Sequence, residues 1–189
     1  MANIVLVVDM LRGFLEAGHG GETHKLYCGE DSRRIIPNVR RLLEEEQARG
    51  SHIIFVVDTH DPDDKEFQTF PSHCVRGTEE TKVIPELEDI TGEMLPKNRY
   101  SAFFDTPLER RLAELKPEKI IICGVCTDIC VLHTASDARN RDYAVEVPAD
   151  CVASFDPEAH RWALKHIQEI LGAKVVAAVP GEHKRVAPT

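Results

Sequence analysis

The chain has 189 residues, 23 Lys and Arg against 32 Asp and Glu, a formal net charge of −9 at pH 7, and 42% hydrophobic residues. That is the size of one ordinary domain with enough apolar content to bury a core, which excludes collagen-like and disordered classes. No run approaches the roughly 18 consecutive apolar residues of a membrane span, the N-terminus carries no secretory pattern, and the acidic balance leaves no electrostatic footprint for nucleic acid. A cytoplasmic protein without nucleic-acid or membrane partners is expected, its six cysteines reduced.

In chain order, residues 4–9 predict a first strand and 52–58 the next. Between them, residues 32–50 place Ile35, Ile36, Val39, Leu42 and Leu43 on one helical stripe, with Gly50 where a C′ residue belongs. Residues 59–95 are rich in Pro, Asp and Glu and lack sustained periodicity; a loop of that length is expected to be functional. A short run, 94–96, precedes Lys97. Asp105-Thr106-Pro107 opens a helix carrying Leu108, Leu112 and Leu115. Then follow a strand over 119–123, a helix over 127–139, a strand over 143–147, a helix over 157–171 and a strand over 174–178. Strands that are apolar throughout, alternating with helices, predict a three-layer α/β/α sandwich with a mostly parallel sheet of about six strands. No repeat or linker divides the chain, so 1–189 reads as one domain with a polar tail at about 180–189.

In such sheets ligands bind beyond the carboxyl ends of the strands. Those ends present Asp9, Asp58 with His60, Lys97, and the turn Gly124-Val-Cys-Thr-Asp-Ile-Cys130. With Thr127 or Asp128 as helix cap, Cys130 falls in a first turn whose free N–H groups and dipole favour a thiolate and can hold an oxyanion. A nucleophile and a buried structural cysteine are both consistent with that position. Cys123-x-x-Cys126-x-x-x-Cys130 lacks the second ligand pair of a zinc site, because Cys28, Cys74 and Cys151 are isolated; Cys123 and Cys126 read as packing residues. A redox pair formed by Cys126 and Cys130 is a further, weaker reading. Asp58 and His60, two apart on an extended strand end, point the same way and can grip one ion, with Glu66 and His73 supplied by the following loop. Imidazole and carboxylate ligation suits zinc, iron or manganese. Asp61, Asp63 and Asp64 read as solvated loop charges.

Taken in order, these residues resemble the isochorismatase-like cysteine hydrolases, and among them the nicotinamidases, over nearly the whole chain. The most specific piece is Gly124-Val-Cys-Thr-Asp-Ile-Cys-Val-Leu-His-Thr-Ala135; Phe70-Pro-Ser-His-Cys-Val-Arg-Gly-Thr78 is similar to the nicotinamidase metal loop, and Lys97-Asn-Arg-Tyr-Ser-Ala-Phe103 to the lysine segment. The resemblance implies a triad of Asp9, Lys97 and Cys130, a cis peptide between Val125 and Cys126, and an oxyanion hole from the N–H groups of Cys126 and Cys130. It further implies metal ligands Asp58, His60 and His73, with Glu66 as a fourth, and a divalent cation, zinc foremost, with iron or manganese as alternatives. Phe14, Phe70 and Tyr100 fall at its ring-contact positions, while Phe67, Phe103 and Phe104 are assigned to packing. The implied activity is hydrolysis of nicotinamide to nicotinate and ammonia, a step in NAD salvage, by a homo-oligomer, a dimer or tetramer. An N-carbamoyl amide or an isochorismate-like compound is the alternative substrate, and a silent scaffold the alternative class. One departure stands out: Leu11-Arg12-Gly13 precedes Phe14 where nicotinamidases carry a polar or acidic pair, so Arg12 either faces an anionic substrate or lies at the surface.

Overall fold

The computed structural model describes residues 2–177, so the predicted tail at 180–189 and the end of the predicted last strand lie outside the described residues. Strand β1 (Ile4–Val8) leads through a short helix α1 (Arg12–Leu15), the small hairpin β2 (Gly18–His19) and β3 (Glu22–Thr23), and helices α2 (Glu30–Arg33) and α3 (Ile36–Ala48) into β4 (His52–Asp58). After the long loop come β5 (Glu93–Lys97), α4 (Leu108–Leu115), β6 (Ile120–Val125), α5 (Leu132–Asn140), β7 (Val145–Pro148), β8 (Val152–Ala153), α6 (Pro157–Glu169) and β9 (Lys174–Val176). The main sheet runs β5-β4-β1-β6-β7-β9, with β8 also paired to β6, and every pairing in it is parallel.

Alternate residues of the central strands feed two separate cores, as the two-residue period of a strand requires. Val5, Val7, Ile53, Phe55, Ile121 and Cys123 pack with Ile36, Val39 and Leu43 of α3. Ile4, Leu6, Val8, Ile54, Ile120 and Ile122 pack with Leu112 of α4, Ala135 of α5 and Ile167 of α6. This is the predicted three-layer sandwich. From β1 the chain winds outward to β4 and β5 and then returns to β6 on the other side, so the switch point lies at β1 and β6, where ligands of such sheets bind.

Two predicted helices are divided. The stripe over 32–50 is broken between Arg33 and Ile36 because Pro37 lies at the second position of α3 and has no N–H to bond back into the preceding turn. Gly50, at φ 80°, closes α3 as expected. The helix over 127–139 opens instead as a wide turn, Thr127–Val131, in which the Val131 N–H donates to the Cys126 carbonyl at 3.1 Å, five residues back. Neither Thr127 nor Asp128 caps it; the Thr127 hydroxyl pairs with His160 at 2.8 Å. Just before this turn, Gly124 adopts φ +113°, and a Cβ there would lie 2.0 Å from the Val8 carbonyl oxygen. Only glycine permits β1 and β6 to approach so closely at their carboxyl ends.

Candidate active site

Four strand ends converge on one buried cation. Lys97, the last residue of β5, is fully buried, and its Nζ lies 3.0 Å from Asp9 Oδ2, 3.0 Å from Asp58 Oδ1 and 3.6 Å from Cys130 Sγ. Asp9 follows β1 with a left-handed backbone, φ 51°, and its Oδ1 accepts the Asp58 N–H at 3.0 Å. Burial would strip Lys97 of its proton, but the charges of Asp58 and Asp9 outweigh it and hold the ammonium well above its usual range. Burial, reinforced by the Asp58 charge and opposed by Lys97, pushes Asp9 up to about 6. Burial also pushes the Cys130 thiol well above its ordinary value, with Lys97 pulling the other way. Cys130 sits in the wide turn with its thiol toward the Lys97 ammonium, which also pairs with Asp9. The Val125–Cys126 peptide is cis.

Beside this cluster stands a second one that shares Asp58. Asp58 Oδ2 lies 3.0 Å from His60 Nε2 and 3.3 Å from His73 Nε2. About 3.3 Å is the spacing of two donor atoms on a tetrahedral ion with bonds near 2.0 Å. The loop closes to make this possible: the His60 N–H donates to the Cys74 carbonyl at 2.9 Å, and the Arg76 N–H to the His60 carbonyl at 2.8 Å. Each imidazole is oriented from behind. His73 Nδ1 donates to the Pro71 carbonyl at 2.7 Å and His60 Nδ1 to Asp64 Oδ2 at 2.9 Å, which leaves Nε2 of each ring as the ligand atom. Burial alone would lower the His60 pKa, but Asp58 and Asp64 carry it up to about 9, a sign of the negative potential gathered there. Glu66 approaches from the rim, Oε1 3.9 Å from His73 Nε2, while its buried Oε2 has no hydrogen-bond partner. Asp58, His60 and His73 form the metal-competent group among the described residues, and the orphaned oxygen of Glu66 suits a fourth donor. The donor set fits a divalent cation.

Both clusters open into a pocket of about 450 Å³, mouth included, lined by Asp9, Asp58, Glu66, His73 and Cys130 on its polar side. The three predicted ring contacts, Phe14, Phe70 and Tyr100, all line it, as do Val125 and Cys126. Phe14 and Phe70 rings lie 5.7 and 6.5 Å from the His73 ring.

The isochorismatase domain family matches residues 3–178. The chain belongs to the isochorismatase family. Within it, nicotinamidase/pyrazinamidase PncA from Bacillus subtilis superposes with a TM-score of 0.83 at 35% identity, covering 93% of this chain and 100% of its own. Pyrazinamidase of Pyrococcus horikoshii in complex with zinc gives a TM-score of 0.84 at 28% identity, over 94% and 99%. N-carbamoylsarcosine amidase from Thermoplasma acidophilum gives 0.83 at 29%, over 96% and 99%.

Against the family's expected site, sequence reasoning missed Leu26, Ile129 and Phe155 on the pocket wall, and Asp64. Asp64 is not a solvated charge: its side chain is 5% exposed, holds His60 and accepts two contacts from Arg99 Nη1 at 2.9 and 3.0 Å. Phe104, assigned to packing, is 57% exposed. Phe103 is buried as expected, and Phe67 packs its ring against those of His60 and His73. Arg12 does not reach the pocket; it pairs with Glu79 at 3.2 Å. No helix among the described residues is long and apolar enough to cross a membrane.

Proposed function

We propose that this member of the family is a cysteine amidase that hydrolyses nicotinamide to nicotinate and ammonia through a thioester acyl-enzyme. The observation that carries the reading is the position of Lys97, within 3.0 Å of Asp9 and 3.6 Å of Cys130, two residues that line an aromatic pocket beside a metal-competent cluster. Asp9, ionised at neutral pH, takes the Cys130 proton as sulfur attacks the carboxamide carbon. The N–H groups of Cys126 and Cys130 receive the oxyanion. Lys97 stays protonated and offsets the negative charge that builds on its neighbours. Asp9 returns the proton to the departing ammonia, then accepts one from the water that cleaves the thioester, and Cys130 regains its thiol. Asp58, His60, His73 and Glu66 would hold a divalent cation, zinc foremost, whose chemistry is an electrophilic contact for the pyridine nitrogen that orients the ring. Phe14, Phe70 and Tyr100 enclose that ring. In this reading the enzyme acts in the cytoplasm as a homo-oligomer and serves NAD salvage.

The likeness to an N-carbamoylsarcosine amidase keeps a second substrate class in view, an N-carbamoyl amide on the same triad. Stoichiometric metal favours the pyridine substrate. The deciding experiment is ammonia release from nicotinamide by the purified, metal-loaded protein beside Cys130→Ala. The wild type is expected to release ammonia and the variant to fall at least about 10³-fold, as removal of a covalent nucleophile does. A folded, loaded wild type that leaves nicotinamide intact while cleaving carbamoyl amides rejects the substrate, and an active variant rejects the nucleophile.

A further inference from the structure

Cys126 lines the pocket, and its thiol faces a second thiol that catalysis does not use. The Sγ atoms of Cys28 and Cys126 lie 3.5 Å apart, 98 residues apart in the chain, both buried and both free. Cys28 sits just behind the wall: its N–H donates to the carbonyl of Phe14 at 2.8 Å, and its thiol lies 3.6 Å from the carbonyl of Leu26. Cys130, the partner read for Cys126 in a redox pair, is turned instead toward Lys97. We infer that Cys28 and Cys126 are a modification site, closing to a reversible disulfide when a peroxide small enough to enter the pocket reaches Cys126.

A disulfide needs sulfurs about 2.05 Å apart, so the two must draw together by roughly 1.5 Å, a movement within reach of side-chain rotation and a small loop shift. The chemistry balances. The Cys126 sulfur attacks one peroxide oxygen, the O–O bond breaks, and the other oxygen leaves as water, giving a sulfenic acid. The Cys28 sulfur then displaces the sulfenic hydroxyl as a second water, its own proton completing it. Two thiols lose two electrons and the peroxide gains them. The Cys28 thiol and burial hold the Cys126 pKa well above the usual thiol range, so its attack on peroxide is slow and calls for peroxide in excess. The consequence for turnover rests on the function proposed above: drawing Cys126 toward Cys28 shifts the main-chain N–H assigned to the oxyanion, and amide hydrolysis stops until a thiol reductant reopens the bond.

The test treats the full-length Cys130→Ala chain with excess hydrogen peroxide and maps its peptides under non-reducing conditions. Cleavage after Lys25, Arg33, Lys119 and Arg139 separates residues 26–33 from 120–139. The expected product joins these two peptides through Cys28 and Cys126, 2 mass units below their sum, and vanishes with dithiothreitol. Both thiols remaining reduced, or Cys126 passing to the sulfinic acid with no cross-link, overturns the inference. This readout needs no substrate, so it stands or falls apart from the nicotinamide reading. In the wild type, peroxide is expected to remove most ammonia release and dithiothreitol to restore it, with Cys28→Ala or Cys28→Ser spared. Equal loss in the wild type and both Cys28 variants assigns the loss to Cys130 and overturns the switch.

Discussion

The two polar clusters of the pocket are built on opposite plans. Asp9, Lys97 and Cys130 arrive from three strand ends distant in sequence, and Lys97 holds both neighbouring carboxylates by direct ion pairs. Asp58, His60, Glu66 and His73 come from one strand end and the loop after it; the donor atoms of Asp58, His60 and His73 converge on one point, and Glu66 keeps an orphaned oxygen. The first cluster is complete as folded. The second is shaped for something added. Asp58 joins them, one oxygen on Lys97 and the other on the two imidazoles.

The sharpest way to break this contrast is Lys97→Met. With the cation gone, Asp9 and Asp58 are buried carboxylates without their shared partner, and unfolding in urea is expected to show a loss of about 3–5 kcal/mol. A variant as stable as wild type would mean that the first cluster does not depend on its own charge balance. Next in size is Asp64→Asn, which weakens the hold on His60 Nδ1. Calorimetric titration with zinc is expected to show binding about 10–100-fold weaker, while iodoacetamide alkylates Cys130 at the wild-type rate; parallel loss of both would merge the two clusters into one. The pH profile comes third. In the proposed mechanism Asp9 acts only when ionised, and burial raises its pKa to about 6, so kcat/KM should fall about tenfold per unit as pH drops below that value. A profile flat to pH 5 would remove Asp9 as the base. The smallest effect belongs to neither cluster: Asp156 caps α6 through the N–H groups of Glu158 and Ala159, and Asp156→Ala should cost about 1 kcal/mol with zinc affinity and Cys130 alkylation unchanged.

What was legible in the sequence follows the same division. Strand ends could be read from apolar runs, so Asp9, Asp58, Lys97 and the turn to Cys130 were visible as a set, and the two-residue spacing of Asp58 and His60 announced a shared direction. Asp64 was not visible. Its role depends on the short 3-10 turn Lys65–Gln68, whose Glu66 N–H it accepts while its other oxygen reaches back under His60, and nothing in a run of loop aspartates marks which one folds inward. Leu26, Ile129 and Phe155 come from three separate segments, and only the tertiary fold brings them to one wall. Pro37 did carry a readable signal, since its missing N–H marks where α3 must begin, yet the regular stripe from Ile35 to Leu43 hides the break. The pair Cys28 and Cys126 depends wholly on a contact across the fold.

Gly124 sets a limit on how this scaffold can be re-engineered. Its missing side chain is what lets the ends of β1 and β6 lie against each other, with a would-be Cβ 2.0 Å from the Val8 carbonyl oxygen. Variation in substrate taste is instead open to the wall residues Leu26, Phe70, Tyr100 and Phe155, which a library could exchange without touching the approach of β1 and β6. Any side chain at Gly124 would wedge the two strands apart and move Asp9 and Cys130 out of register with one another, disabling every chemistry the pocket might be adapted to perform.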